Sequence, residues 1–286
     1  MELASALASC ESMIKQGSTT FYKAFGYLPS PRREAVFVIY AFCRMIDDAV
    51  DEPERAPYPL DELERSFLEL ERAEGHFIWS SLRWLFATFP ALGQEPFLRQ
   101  MEGQRRDLRF THYRTMEELE GYCYLVAGTV GEMLLPVLHD RPGLDVVESG
   151  IYLGKAMQIV NIVRDVGEDR DRGRRYVPLE LMARHGYSER EFEAGEVNEG
   201  LRQVIRELDA TAREWFRRGL RDLDTYPPAS AFSVELAARF YEAILDEVEG
   251  GGYQVYTRRA HVGQLRKLKL LAKIGEKYAP RYLATP

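Results

Sequence analysis

The chain has 286 residues and little cysteine, the residue on which disulfide-bonded secreted domains and many zinc sites depend. Its three cysteines, Cys10, Cys43 and Cys123, lie far apart and form no CxxC pair. Their spacing indicates neither a disulfide framework nor a zinc site. The N-terminus lacks the basic segment and the apolar stretch of a secretory signal. We therefore expect a cytoplasmic protein in a reducing compartment.

The chain also has fewer basic than acidic residues, and it has no long apolar run. The formal net charge is -7 and the pI about 5.5, which argues against a nucleic-acid partner, because such binding needs a clustered basic surface. The longest uninterrupted apolar run, 35–43, is far shorter than the roughly 18 residues of a membrane span. A substrate with phosphates would then be held locally, by a metal ion.

Strand-like alternation is hard to find, whereas apolar residues recur at helical spacing almost everywhere. No Pro/Gly/Ser-rich linker divides the chain, so we predict a single all-α domain over 1–286. The charged segment 168–176 contains Gly173 and is predicted to be a mobile loop after a helix. The predicted helices run from Pro31 to Asp51 and then over about 61–74, 77–89, 94–109, 115–138, 145–169, 198–225, 229–249 and 253–279.

The first pattern that carries chemistry lies in the helix that follows Pro31. Tyr40, Arg44, Asp47/Asp48 and Asp51 recur every three or four residues and so share one helix face. Acids placed this close repel one another unless a cation lies among them. The flanking residues are apolar, which indicates a packed helix rather than a solvated one.

A second helix repeats this pattern. Asn161, Asp165 and Asp169 recur every four residues, with Gln158 one turn earlier, on an otherwise apolar helix. Two such helices facing each other would offer Mg²⁺ the oxygen ligands it prefers, completed by water and substrate phosphates. A solvated acidic face is the alternative for either stripe alone. A di-iron bundle is disfavoured, because none of the five histidines follows a glutamate by three residues.

Two further features each have two interpretations. Gly128 and Gly131 interrupt an apolar helix, where glycine costs roughly 1 kcal/mol, so another helix or a ligand must approach closely. From Tyr253 to Pro286 the chain has eight Lys/Arg and one acid, Glu276, mixed with apolar residues. A basic outer face on a packed helix explains this segment, and peripheral contact with an anionic membrane is the alternative.

Together these motifs resemble the trans-isoprenoid head-to-head synthases, the family of squalene, dehydrosqualene and phytoene synthases. The resemblance covers nearly the whole chain and is specific. It rests on the substrate segment STTF at 18–21 with Phe25, the first aspartate motif at 40–51, YCYLVAGTVG at 122–131, the second metal motif at 158–169, RRYVP at 174–178, and Tyr241.

The resemblance implies an isoprenoid-synthase helical bundle around a central apolar cavity, and it implies roles for individual residues. The implied Mg²⁺ ligands are Asp47, Asp48, Asp51, Asn161, Asp165 and Asp169. The implied substrate contacts are Ser18, Thr20, Phe21, Phe25, Tyr40, Arg44, Gln158, Arg164 and Tyr241. The implied catalytic residues are Tyr122, Tyr241, Arg44 and Arg164, although each tyrosine taken alone is also explained as a core aromatic.

The resemblance further implies an Mg-dependent prenyltransferase that condenses two farnesyl diphosphates, through presqualene diphosphate, to dehydrosqualene or squalene. NADPH would be needed only for squalene. The chain looks closest to bacterial dehydrosqualene synthases, where an aromatic residue at the Phe25 position limits the pocket to C15 chains; Thr19 departs from the lysine found there.

The alternatives are a phytoene synthase using geranylgeranyl diphosphate, a phosphatase releasing farnesol, and a non-catalytic assembly factor. The sequence does not predict the oligomeric state.

Overall fold

The computed structural model describes residues 2–108 and 110–283, and within these ranges it contains no β-strand, which confirms the all-α prediction. One isolated bridge pairs His112 with Arg175. The helices are α1 (Leu3–Gly17), α2 (Thr19–Phe25), α3 (Arg32–Asp51), α4 (Leu60–Leu68), α5 (Phe77–Thr88), α6 (Glu95–Asp107), α7 (Met116–Cys123), α8 (Thr129–Leu138), α9 (Leu144–Asp171), α10 (Leu179–Arg184), α11 (Glu189–Ala194), α12 (Glu199–Gly219), α13 (Pro228–Gly250) and α14 (Gln264–Leu283).

Local chemistry sets several helix starts. Ser18, Thr115 and Asn198 each accept a hydrogen bond from a backbone N–H three residues later, at the starts of α2, α7 and α12. Such caps satisfy amides that have no partner inside the helix. Between α7 and α8, residues Tyr124–Gly128 form a π-helical turn, so the two helices continue each other.

The long helix α9 lies at the centre of the bundle. It packs against α12, α8, α13 and the π-helical turn, while α3 packs against α1, α5, α6 and α8. Glycines allow the closest of these contacts: a Cβ on Gly131 would lie 2.1 Å from the Gly150 carbonyl oxygen. A Cβ on Gly128 would meet the Tyr124 ring at 2.9 Å and Ile151 at 3.2 Å. The predicted close approach of another helix at Gly131 is confirmed.

Several predictions of local structure need correction, among them the helix predicted over 198–225, which ends at Gly219. Helices α1 and α2 were not predicted, because the buried residues of α1 are only Ala6, Cys10 and Ile14. The predicted helix 61–74 ends at Leu68. The helix predicted from 253 begins at Gln264, because Gly252 and Tyr253 adopt positive φ and break it. Residue 109, the predicted end of another helix, lies outside the described residues.

The segment 168–176 is also more ordered than predicted. Helix α9 continues to Asp171, so only the residues after it form a loop. That loop is held down at two points: Arg174 contacts the carboxylate of Asp51 at 2.6 Å, and the hydroxyl of Tyr176 donates to Asp107 at 3.0 Å. The loop prediction is therefore wrong for residues 168–171, which belong to α9; the remaining loop is joined by these side chains to acids on other helices, and its mobility stays a prediction.

One stretch, 116–138, is long and apolar enough to cross a membrane by length and composition alone. Half of its most apolar window is buried, and core helices of soluble proteins meet the same criterion. The stretch packs against α6 and α9, so we interpret it as a core helix. Buried apolar residues form one continuous cluster that reaches from Cys10 to Tyr278.

Candidate active site

A cavity of about 680 Å³ lies inside the bundle, within the usual range of roughly 300–1,000 Å³ for small-molecule sites. Its floor is apolar, with Leu134, Leu138, Leu153 and Val234 among the lining residues. Both Gly150 and Asn161 line it, and they lie eleven positions apart on helix α9, which corresponds to a depth of about 16 Å. The structure thus contains the predicted central apolar cavity.

The predicted substrate contacts converge on this cavity. Four aromatic rings form one wall: Phe21 stacks on Tyr241 at 5.1 Å between centroids and on Phe25 at 5.9 Å, and its edge meets Tyr40 at 6.3 Å. Helix α2 positions Phe21 because the Ser18 hydroxyl caps its first turn. All nine predicted contacts line the cavity: Ser18, Thr20, Phe21, Phe25, Tyr40, Arg44, Gln158, Arg164 and Tyr241.

The acids of α3 stand at the upper end of the cavity, and Asp47 is the one that lines it. The Gln104 amide donates to the Asp47 carboxylate at 2.6 Å, and Arg44 lies 2.6 Å from Asp48. Burial raises the pKa of Asp47 to about 8; Arg44 opposes this shift, and the carboxylates of Asp51 and Asp48 add to it. Burial and the neighbouring carboxylates therefore disfavour the ionised form of Asp47 unless a cation is present.

The acids of α9 occupy a matching position. Arg164 and Arg259 donate to the Asp165 carboxylate at 2.7 and 2.8 Å, and although burial acts in the opposite direction, these two guanidiniums lower its pKa. Burial and the neighbouring Asp165 raise the pKa of Asp169 to about 7. One turn before Asp165, the Asn161 side-chain oxygen is buried without a hydrogen-bond partner and the residue lines the cavity.

The two acid stripes face each other across the mouth of the cavity. The Asp51 carboxylate on α3 is close enough to contribute to the raised pKa of Asp169 on α9. Arg174, which follows α9, contacts Asp51 at 2.6 Å, and Arg172 contacts it at 3.5 Å. The loop that follows α9 is therefore joined to α3 through these two arginine side chains.

The acids at the mouth suit Mg²⁺ that is bound together with other ligands. In the described ranges, no three His, Cys, Asp or Glu side chains are grouped tightly enough to hold a metal by themselves. Mg²⁺ usually binds one or two carboxylates and completes its shell with water and substrate phosphates. Crowded carboxylates with raised pKa values and the unpartnered Asn161 oxygen fit that mode of binding, rather than an all-protein cage.

Several basic residues at the mouth were not singled out from the sequence. Arg259, His261 and Lys267 line the cavity, and the Lys267 ammonium donates to the Thr20 hydroxyl at 3.0 Å. Burial, together with the nearby charge of Lys23, lowers the pKa of Lys267. The basic composition of the C-terminal segment could have pointed to these residues. Because the sequence predicts one continuous helix over 253–279, it did not indicate that residues 259–262 turn inward.

Tyr122 is the predicted catalytic residue that does not line the cavity. Its hydroxyl donates to the Asp107 carboxylate at 2.8 Å, and Tyr176 donates to the same oxygen at 3.0 Å. Burial raises the pKa of Asp107 to about 6, with these two hydrogen bonds acting in the opposite direction. Asp107 was not predicted; it ends α6 and ties the π-turn region to the loop that carries Arg174.

Residues 14–266 match the family described as squalene/phytoene synthase. The phytoene synthase of Thermus thermophilus is 35% identical, over 96% of this chain and 94% of its own length. The 15-cis-phytoene synthase of Synechocystis is 38% identical, over 92% of this chain and 82% of its own. The chain spans 65% of the chloroplastic phytoene synthase of an Oncidium hybrid, at 34% identity. A solved dehydrosqualene synthase in complex with a ligand superposes with a TM-score of 0.91, at 34% identity and 98% coverage of both chains.

Proposed function

The chain belongs to the squalene/phytoene synthase family, and we propose that it condenses two farnesyl diphosphates head to head, through presqualene diphosphate, to dehydrosqualene or squalene. The observation that supports this most is the division of the cavity: apolar side chains such as Leu134, Leu138 and Leu153 line its interior, and Asp47, Asn161, Arg44 and Arg164 line its mouth. A prenyl diphosphate is divided in the same way, into an apolar chain that suits the interior and a charged diphosphate that suits the mouth.

The mouth offers two kinds of partner to a diphosphate. Arg44, Arg164 and Lys267 line it and can contact the phosphate oxygens directly, as charge-assisted hydrogen bonds. Asp47, Asp51, Asn161, Asp165 and Asp169, with Asp48 beside them, would hold Mg²⁺. Bound Mg²⁺ supplies Lewis-acid assistance to departure of the diphosphate.

Deeper in the cavity, the side chains must tolerate a carbocation. The faces of Phe21, Tyr40 and Tyr241 can stabilise positive charge without acting as nucleophiles. Water would capture such a cation, and the aliphatic floor excludes it. Tyr122 does not line the cavity. Its hydroxyl donates a hydrogen bond to Asp107, and it supports the cavity wall from the outside.

Phe25 favours C15 over C20 chains. It lies in α2, is 4% exposed and stacks on Phe21, so it narrows the cavity beside the aromatic wall. The likeness to the solved dehydrosqualene synthase supports the same choice. Phytoene synthesis from geranylgeranyl diphosphate is the second candidate, because the relatives at 34–38% identity are named phytoene synthases.

Product analysis tests the proposal. The purified chain is incubated with Mg²⁺ and either farnesyl or geranylgeranyl diphosphate, with and without NADPH, and hexane extracts are analysed by mass spectrometry. Dehydrosqualene, or squalene with NADPH, is the expected product. Phytoene would support the second candidate, farnesol alone would identify a phosphatase, and no turnover of either substrate would contradict an enzymatic role.

A matched pair of variants on α9 tests the site itself. Asp165→Asn removes a carboxylate at the mouth, and we expect turnover to fall by about 10²-fold or more, by analogy with the loss of other transition-state partners. Asp171→Asn is the control, because Asp171 is 68% exposed at the end of the same helix and pairs with Arg170. Equal activity of the two variants would contradict the assigned roles.

A further inference from the structure

We propose that the outer face of α14, formed by Leu265, Leu268, Lys269, Ala272 and Lys273, docks on the surface of an anionic lipid bilayer. These residues recur at the three- and four-residue spacing that places them on one side of the helix. All five are exposed. Apolar and basic side chains thus share one solvent-facing surface, the composition by which a helix lies at a bilayer interface.

The apolar part of this face is unusual for the molecule. Leu265 is 77% exposed and Leu268 is 59% exposed, one turn apart on the same helix. A single exposed leucine needs no explanation, but adjacent ones form a patch. Elsewhere in the described residues, the exposed large apolar side chains are separate along the chain: Leu3, Tyr27, Leu68, Leu108 and Leu144.

The charges of α14 divide by face. Toward the bundle, Arg266 pairs with Glu247 at 2.7 Å and Lys277 pairs with Glu235 at 2.6 Å, both acids belonging to α13. On the outer face, neither Lys269 nor Lys273 has an acid within 4 Å in the part of the chain that the structure describes. The helix is therefore anchored by its inner cations and leaves its outer ones available to an external anion.

Charge also orients the molecule. The whole chain has a net charge of -7, yet the segment from Tyr253 to Pro286 has eight Lys/Arg and one acid. An anionic surface attracts this segment and repels the rest of the chain. Clusters of lysine and arginine gain affinity for anionic lipids in this way, and leucines add to it by entering the interface.

The face lies beside the mouth of the cavity. Lys267, one residue before Leu268, lines that mouth, and so do residues 259–262 just before the helix. Gln264 accepts a hydrogen bond from Lys23 at 2.9 Å, which joins the start of α14 to α2. A chain docked through α14 would bring the mouth close to lipid. An apolar product could then leave without crossing water, and this consequence, unlike the docking itself, rests on the proposed function.

Vesicle co-sedimentation of the full chain, without substrate, tests the docking. We expect binding to vesicles of phosphatidylcholine with phosphatidylglycerol, little binding to phosphatidylcholine alone, and loss of binding at high salt. The double variants Leu265→Ser/Leu268→Ser and Lys269→Glu/Lys273→Glu should each weaken binding by about tenfold or more. Circular dichroism and turnover in detergent should be unchanged, because all four side chains point to solvent.

Matched controls change the same residue types elsewhere. Leu144→Ser alters an 89% exposed leucine at the start of α9, and Arg72→Glu alters an exposed arginine remote in sequence from α14. Both should bind as the unaltered chain does. No binding by the unaltered chain, equal binding by the α14 variants, or salt-independent binding to neutral vesicles would overturn the proposal. A dimer that the α14 variants convert to a monomer would assign the face to a second copy instead.

Discussion

Replacement of Gly154 by alanine should destabilise the protein, because this residue sets the distance between two helices of the cavity wall. A Cβ at Gly154 would lie 2.0 Å from the Ala127 carbonyl oxygen and 3.0 Å from the Gly128 Cα. Both are backbone atoms, so no side chain can rotate away. To reach ordinary contact, α9 and the π-helical turn must separate by about 1 Å, or bend, in a close-packed interior.

The size of the effect follows from two opposing contributions. Overpacking a core typically costs about 1–3 kcal/mol, and a contact with backbone belongs at the upper end of that range. Alanine gains about 1 kcal/mol over glycine through helix propensity. The net loss is about 2 kcal/mol, and since a chain of this size changes its Tm by roughly 2–4 °C per kcal/mol, we expect Tm to fall by about 4–8 °C.

Thermal unfolding of two variants checks this reasoning. Gly121→Ala is the control, because a Cβ there would meet nothing within 4 Å in the helix α7. It should raise Tm by a few degrees, through propensity alone. Gly154→Ala should also lower turnover, since the same helix carries Asn161 and Asp165 toward the mouth. If Gly154→Ala proved as stable as Gly121→Ala, the close contact between the two helices would be refuted.

Three more predictions concern the site. The pKa values of Asp47, Asp169 and Asp107 are raised from 3.8 to about 8, 7 and 6, so the folded chain binds more protons than the unfolded chain between about pH 4 and these values. Metal-free protein should therefore lose stability as pH rises from about 4 to 8, and Asp169→Asn should flatten that slope in Tm measured with EDTA; a flat profile for the unaltered chain would contradict the assignment. Phe25→Leu should raise use of geranylgeranyl relative to farnesyl diphosphate by about tenfold, in competition assays, and an unchanged ratio would remove Phe25 from chain-length selection. Arg174→Gln removes the shorter of the two arginine contacts of Asp51 and should lower the metal-free Tm by about 2–4 °C, corresponding to about 1 kcal/mol; no change would show that this ion pair contributes nothing to stability.

The site shows how far residue spacing carries an argument. A helical repeat fixes which side chains share a face, so the acid stripes of α3 and α9 were predictable from 40–51 and 158–169 alone. The family motif likewise identified Phe21, Phe25, Tyr40 and Tyr241, which the fold brings to one wall. The family resemblance, rather than spacing, supplied the expectation that the two stripes meet.

Other members of the site were not predictable, because their role depends on contacts between segments distant in the chain. Arg259 reaches Asp165 across 94 residues, and Asp107 receives the hydroxyls of both Tyr122 and Tyr176. A positive φ at Tyr253 breaks the helix that the periodicity suggested, and the residues that follow turn inward to line the cavity. No local pattern encodes these pairings.

The sequence by itself determined the helical class, the two acid stripes and the family, because helix periodicity and motif spacing are local properties of the chain. The tertiary structure decided which side chains face the cavity. It turned Arg259 and Lys267 inward to its mouth and left Leu265 and Leu268 in solvent. It also placed Tyr122 behind the wall, on Asp107. The physical reason is that burial and charge pairing depend on helix packing, which brings together residues far apart in the chain.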